Sequence, residues 1–212
     1  MGFFNKSGGY GSLKVYKVTE IIYDITYYFA HHYLQSNDRT VDQMIQAARS
    51  GKQNIAEGSK ASATSRKIEM NLTNIAKSSL EELMKDYNDY LRVRNLTTWG
   101  REHPRFEKMR EYVKTEDFNS NYNSLIQRLN DEEIANLCLT LCNQATFMLK
   151  SLVESQHNRF VKEGGFSEKL YRERVEYRKQ QHVSDRSDRS DKSDRSDKSD
   201  KSDRSEPPSE ND

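Results

Sequence analysis

The chain has 212 residues, with 34 Lys and Arg set against 33 Asp and Glu, for a formal net charge of +1. The balance is uneven along the chain: seven Ser-Asp-Arg/Lys units and a closing Ser fill 184–205, and EPPSEND follows. Setting aside seven bases and seven acids in the repeats, and three further acids after them, leaves 27 basic and 23 acidic residues over 1–183, about +4, which permits a polyanionic partner without requiring one.

Residues 1–12, MGFFNKSGGYGS, read as a flexible arm. They hold no apolar stretch of the kind a secretory signal needs, and Lys6 stands where a myristoylation signal has Ser or Thr. No segment reaches the ~18 apolar residues of a membrane span. The expected compartment is therefore the cytoplasm, with Cys138 and Cys142 as reduced thiols.

The first predicted helix runs from Leu13 to Gln35, where Val15, Val18, Ile22, Ile25 and Phe29 recur at spacings of three and four. Thr40 with Gln43 fits a capping box and starts the second, which runs to about Ser59. Ser65 caps a third that reaches about Asn95, with a stripe of Ile68, Leu72, Ile75, Ser79, Leu83, Tyr87, Tyr90 and Leu91. The fourth long helix follows Asn130-Asp131, has acids in its first turn where the helix dipole favours them, and ends near Gly164-Gly165. Between the third and fourth lies 97–130, too long for a simple connection, with short helical patterns around HPRFEKMREYVK and NYNSLIQRL. No segment alternates with a period of two, so no sheet is predicted.

These patterns predict an all-α fold: an antiparallel up-down four-helix bundle over 13–165 with a helical insertion at 97–130. A charged helical extension is predicted over 166–183. The repeat tail, 184–212, lacks the apolar residues that would offset the entropy of ordering it and is expected to be disordered.

The stretch AARSGKQNIAEGSKASATSRK, 47–67, stands out. Two glycines interrupt a helical pattern although each costs ~1 kcal/mol relative to Ala in a helix interior. On a helical wheel Met44, Ala48, Gly51, Ile55 and Gly58 share one side, which predicts close packing of a neighbouring backbone there. Arg49, Lys52 and Lys60 fall on the opposite side, and Arg66 and Lys67 lie just past the turn. A basic stripe of this kind is either a solvated helix surface or a contact for phosphates, and repeating it around an oligomer axis would strengthen the second use.

Residues 48–83, ARSGKQNIAEGSKASATSRKIEMNLTNIAKSSLEEL, resemble the signature of a bacterial four-helix-bundle family. That family includes proteins encoded in intervening sequences of large-subunit ribosomal RNA genes and the accessory variability proteins of diversity-generating retroelements. The Arg49-to-Lys52 lead-in, Asn54-Ile55-Ala56-Glu57-Gly58, the Ser/Lys-rich turn and NIAKSSLEEL carry the resemblance, which extends more loosely over 13–95 and 131–160. The 97–130 insertion and the chain past the bundle depart from it and are similar to a subgroup with a four-helix-bundle suffix region. The resemblance implies a homo-oligomer, pentameric in relatives, with a basic surface that in the retroelement members binds nucleic acid and a reverse transcriptase. It implies Arg49, Lys52, Lys60, Arg66 and Lys67 as contacts to RNA or DNA. Asn54, Glu57 and Gly58 are signature positions without an assigned role, a polar contact between helices or subunits being the expected one for Asn54 and Glu57.

Catalytic machinery is not evident, and no cofactor is expected. Cys138 and Cys142 are one turn apart on an apolar face, as core residues are, and no zinc-finger pairing accompanies them. His31 and His32 point about 100° apart on a helix and make poor joint ligands. Glu57 has no visible partner for acid–base work. The expected function is a non-enzymatic, oligomeric, nucleic-acid-binding adaptor; the alternative is a protein-binding scaffold whose 97–130 insertion recognises a partner.

Overall fold

The computed structural model describes residues 9–165 and 167–181; the expected disordered tail over 184–212 lies outside them, as do the first eight residues of the expected arm. Among the described residues every regular element is a helix, so the chain is all-α. None of these helices is long and apolar enough to cross a membrane. The chain divides into two units, 1–165 and 166–212. Within the second, residues 167–181 are helical, and Leu170, Tyr171 and Tyr177 on that helix are exposed.

The first unit holds six α-helices: α1 (Lys14–Tyr33), α2 (Arg39–Ala61), α3 (Arg66–Val93), α4 (Phe106–Tyr112), α5 (Glu116–Ile126) and α6 (Asp131–Glu163). Helix α1 packs on α2, α2 on α3, α3 on α6, and α6 on α1. One apolar core joins them, centred on Ile22, Ile25, Phe29, Met44, Leu80, Leu83, Tyr87, Ile134, Leu141 and Leu149. Val113, Phe118 and Ile126, from the connection between α3 and α6, belong to the same core.

Short polar signals start and stop these helices. Ser65 Oγ accepts from Ile68 N–H at the start of α3. Asn130 and Glu133 form a reciprocal capping box at the start of α6. The start of α2 differs from expectation. Asp38, not Thr40, is the cap, because its Oδ1 accepts the Thr40 N–H at 2.9 Å. Thr115 caps α5, which therefore begins well before the NYNSLIQRL pattern. Residues Tyr10–Ser12, read from sequence as loose arm, form a 3-10 turn packed on α1 and α2.

The contact between α2 and α3 sets the geometry of the rest. Gly51 and Gly58 are both buried on α2. A Cβ on Gly51 would lie 2.8 Å from Leu80 Cδ2 and 3.1 Å from its Cγ. A Cβ on Gly58 would lie 3.3 Å from both the Glu69 carbonyl oxygen and Leu72 Cβ. The absence of a side chain is thus what lets α3 come this near, and the inward placement of the glycine side agrees with the sequence reading.

The first half of α3, however, is rotated from the expected stripe. Glu69, Thr73, Ala76 and Leu80 are buried there, while Ile68 and Ile75 are 50% and 49% exposed. Two polar residues inside a core need partners, and α6 supplies them. Gln156 Nε2 donates to Glu69 Oε1 and to Thr73 Oγ1, each at 3.1 Å. Arg159 reaches both Glu69 carboxylate oxygens at 3.0 and 3.1 Å. Removing Arg159 leaves a nearly buried carboxylate without its cation. Because the Arg159 side chain is itself 46% exposed, the loss falls below that of a fully buried pair. Arg159→Ala should lower unfolding free energy by about 1–2 kcal/mol in urea titrations, whereas a loss under a few tenths would mean the pair contributes nothing.

Candidate nucleic-acid interface

Helix α2 carries its cations away from the glycine contact. Arg49 and Lys60 are exposed, Lys67 is exposed at the start of α3, and Lys52 is half-buried. Among the described residues none of these four forms an ion pair with an acid. Two of them lie on aromatic rings instead. The Lys52 ammonium sits 4.2 Å from the centroid of Tyr23 on α1, and the Lys60 ammonium 5.5 Å from that of Tyr10. Tyr10 in turn packs edge-on against Tyr16, with centroids 4.8 Å apart. A cation over an aromatic face keeps its charge and most of its hydration, so it stays available to an anion approaching from solvent.

Arg66 behaves differently from the other four. Its guanidinium donates to Glu163 Oε2 at 2.5 Å and to the Arg159 carbonyl at 2.9 Å, and its side chain is 14% exposed. It ties the start of α3 to the end of α6, so its donors are directed into the protein rather than toward a partner. That is a correction to its expected role as a phosphate contact.

The signature positions have structural settings. Asn54 Nδ2 donates to the Ser50 carbonyl at 2.9 Å and to Ser50 Oγ at 3.0 Å. Ser50 Oγ is 2.9 Å from Ser79 Oγ on α3. Asn54 therefore buttresses a hydroxyl pair that bridges the two helices one turn from Gly51. Gly58 provides the second close approach. Glu57 is exposed.

Several members of the site were not singled out from sequence. Tyr23 is followed on α1 by Tyr27, 49% exposed, whose ring stacks on His31 with centroids 4.3 Å apart. Tyr16, Tyr23 and Tyr27 recur at spacings of seven and four, so the aromatic side of α1 was present as a pattern; what was missing was its alignment with the α2 cations. Tyr10 gave no such signal, because it belongs to no long helix. Lys52 also lines a cavity of about 720 Å³ shared with Lys14, Lys17 and Lys114. Glu20, Asp24 and Glu116 line the same cavity, so its charge is mixed. There Tyr122 donates to Asp24 at 2.6 Å, and burial followed by that hydrogen bond pushes the Tyr122 hydroxyl up to about 12. The unopposed positive charge is thus on the outer side of α2 rather than in the cavity.

The residues considered for chemistry lie elsewhere. Cys138 and Cys142 are fully buried, and burial pushes the Cys138 thiol up to about 12 and that of Cys142 well above its ordinary range. His31 and His32 are exposed, each with its Nδ1 3.1 Å from the carbonyl four residues earlier. Among the described residues no three His, Cys, Asp or Glu side chains are grouped to hold a metal ion.

No family model, curated protein or solved structure matches this chain.

The Lys52–Tyr23 contact is partly wet, and such contacts contribute ~0.5–1 kcal/mol. Lys52→Gln should therefore lower thermal stability by no more than a few degrees, measured by circular dichroism. A collapse of the fold would mean that Lys52 is a structural residue.

Proposed function

We infer that α1, α2, α3 and α6 form an antiparallel up-down four-helix bundle with 97–130 inserted between its third and fourth helices. We infer further that the protein is a non-enzymatic, homo-oligomeric adaptor that binds RNA or DNA in the cytoplasm. The pairwise packing of the four long helices around one core supports the first part. The resemblance of 48–83 to the ribosomal-RNA intervening-sequence and retroelement accessory proteins supports the second, with a reverse transcriptase as a further partner to be sought.

The observation that carries the nucleic-acid reading is the placement of Lys52 and Lys60 over Tyr23 and Tyr10 with no acid partner. Phosphate contacts need cations free of internal carboxylates, and single strands add stacking on aromatic rings. Arg49, Lys52, Lys60 and Lys67 meet the first need. Tyr27 and His31, stacked and exposed beside them, meet the second. Binding by one such stripe is weak, and repetition around an oligomer raises it through effective concentration.

Self-association has its own support. Ile68 and Ile75 are half exposed on the same side of α3, with the half-buried Leu72 between them. These positions lie three and four residues apart and form an apolar stripe that the chain's own core leaves uncovered. Burying such a stripe against a second copy would remove apolar surface from water at about 25 cal/mol per Å².

Two outcomes follow. Lys52→Glu combined with Lys60→Glu should abolish binding of a mixed-sequence RNA. In the unchanged chain, the slope of log K against log salt should exceed that of either single variant by about one. Equal binding by the double variant would reject the interface. Ile68→Ser with Ile75→Ser should convert the oligomer to monomer by light scattering while helix content stays constant, and an unchanged mass would place the interface elsewhere.

A further inference from the structure

The connection between α3 and α6 builds a second concave site, remote from the α2 cations in its chemistry. A cavity of about 600 Å³ lies between α4, the loop at Thr98–Trp99 and residues of α3 and α6. Its size falls in the range of small-ligand sites. Three aromatic side chains line it: Trp99, Phe106 and Phe147. Trp99 is held rigidly. Its backbone N–H donates to Asn136 Oδ1 at 2.7 Å and its indole N–H to Glu132 Oε1 at 3.0 Å. Phe147, by contrast, is 72% exposed, a large ring at the mouth with little of the protein covering it.

The polar groups of the wall are mostly acceptors. Asn88 and Asn143 each donate their amide N–H to a carbonyl of their own helix, at 2.8 Å in both cases, leaving their side-chain oxygens as acceptors. Gln144 Oε1 is buried and no protein donor reaches it. A buried acceptor without a donor is costly, and at a cavity wall it selects a ligand that brings an N–H. Arg110 and Lys114 add positive charge at the same cavity. Their carboxylate partners, Glu107 and Glu111, are three residues away on the exposed surface, and such pairs exchange readily for an incoming anion.

The geometry points to a site for a planar nitrogen heterocycle bearing an anionic group, of the nucleoside monophosphate class. Its ring lies against Phe106 and Phe147, its N–H meets Gln144 Oε1, and its phosphate meets Arg110 and Lys114. An alkyl chain would leave Gln144 Oε1 unmet, and a metal cation would be repelled by Arg110 and Lys114. The same chemistry is offered by a free nucleotide and by an unstacked base of a strand. This site does not depend on the α2 surface and would stand if α2 bound nothing.

The chain's single tryptophan is Trp99, so intrinsic fluorescence reports on this cavity. AMP, GMP, CMP and UMP should be titrated into the full chain, with N-acetyltryptophanamide run in parallel to correct for absorbance. At least one should change the emission saturably, and ribose 5-phosphate should not. Gln144→Leu preserves shape and removes the acceptor; Phe147→Ala alters an exposed ring that the fold does not need. Each should weaken binding about tenfold or more with unchanged helix content. A short oligonucleotide that binds more tightly than the monophosphates would identify a strand as the source, and the reverse a free nucleotide. The proposal is overturned by no saturable change with any monophosphate, by ribose 5-phosphate binding as well as AMP, or by both variants binding like the unchanged chain.

Discussion

The close approach of α2 and α3 is the constraint on which the structure depends. Gly51 and Gly58 give up helix propensity, ~1 kcal/mol each relative to Ala, at the two places where a Cβ would meet Leu80, Leu72 or the Glu69 carbonyl. With the glycine side fixed inward, Arg49, Lys52 and Lys60 have only the outer side of α2 to occupy. The same contact fixes the rotation of α3. Leu80 and Ala76 are drawn against α2, and Ile68 and Ile75 are turned toward solvent as a consequence.

A helix rotated in this way brings polar residues indoors, and the interior is built to receive them. Glu69 and Thr73 meet Gln156 and Arg159 of α6. Ser79 meets Ser50, which Asn54 supports from one turn away. Tyr87, fully buried, donates to Thr26 Oγ1 at 3.0 Å, and its burial raises its hydroxyl well above the ordinary range. Each of these contacts joins two helices. Apolar side chains tolerate sliding, whereas a hydrogen-bonded pair in a core is satisfied at one register only. These pairs therefore set how far along each other α1, α2, α3 and α6 sit.

The parts of the fold legible in the sequence are those governed by local chemistry. Ser65 and Asn130 were readable as helix starts because a cap and its N–H partner lie within three residues. Gly51 and Gly58 were readable because nothing but close packing explains two glycines on one helical side. The rotation of α3 was not readable: Ile68 and Ile75 look like core, Glu69 and Thr73 like surface, and the partners that reverse this, Gln156 and Arg159, are more than eighty residues away. The same limit applies to the site. The cations of α2 form a pattern within one helix, but Tyr23 and Tyr10 become their neighbours only when α1 and the 3-10 turn fold against them. Arg66 looked like its neighbours in charge, and its engagement with Glu163 depends on where α6 ends.

The proposed adaptor role and the outward basic surface both follow from the glycine contact, so that contact is the place to test. The direct measurement is a double-mutant cycle between Gly51 and Leu80 by urea denaturation. In the unchanged background Gly51→Ala should destabilise by about 1–2 kcal/mol, the clash outweighing the gain in helix propensity. In a Leu80→Ala background, where the obstructing atoms are gone, the same substitution should be neutral or stabilising by up to ~1 kcal/mol. If Gly51→Ala stabilises both backgrounds equally, the two helices do not meet there and the account fails.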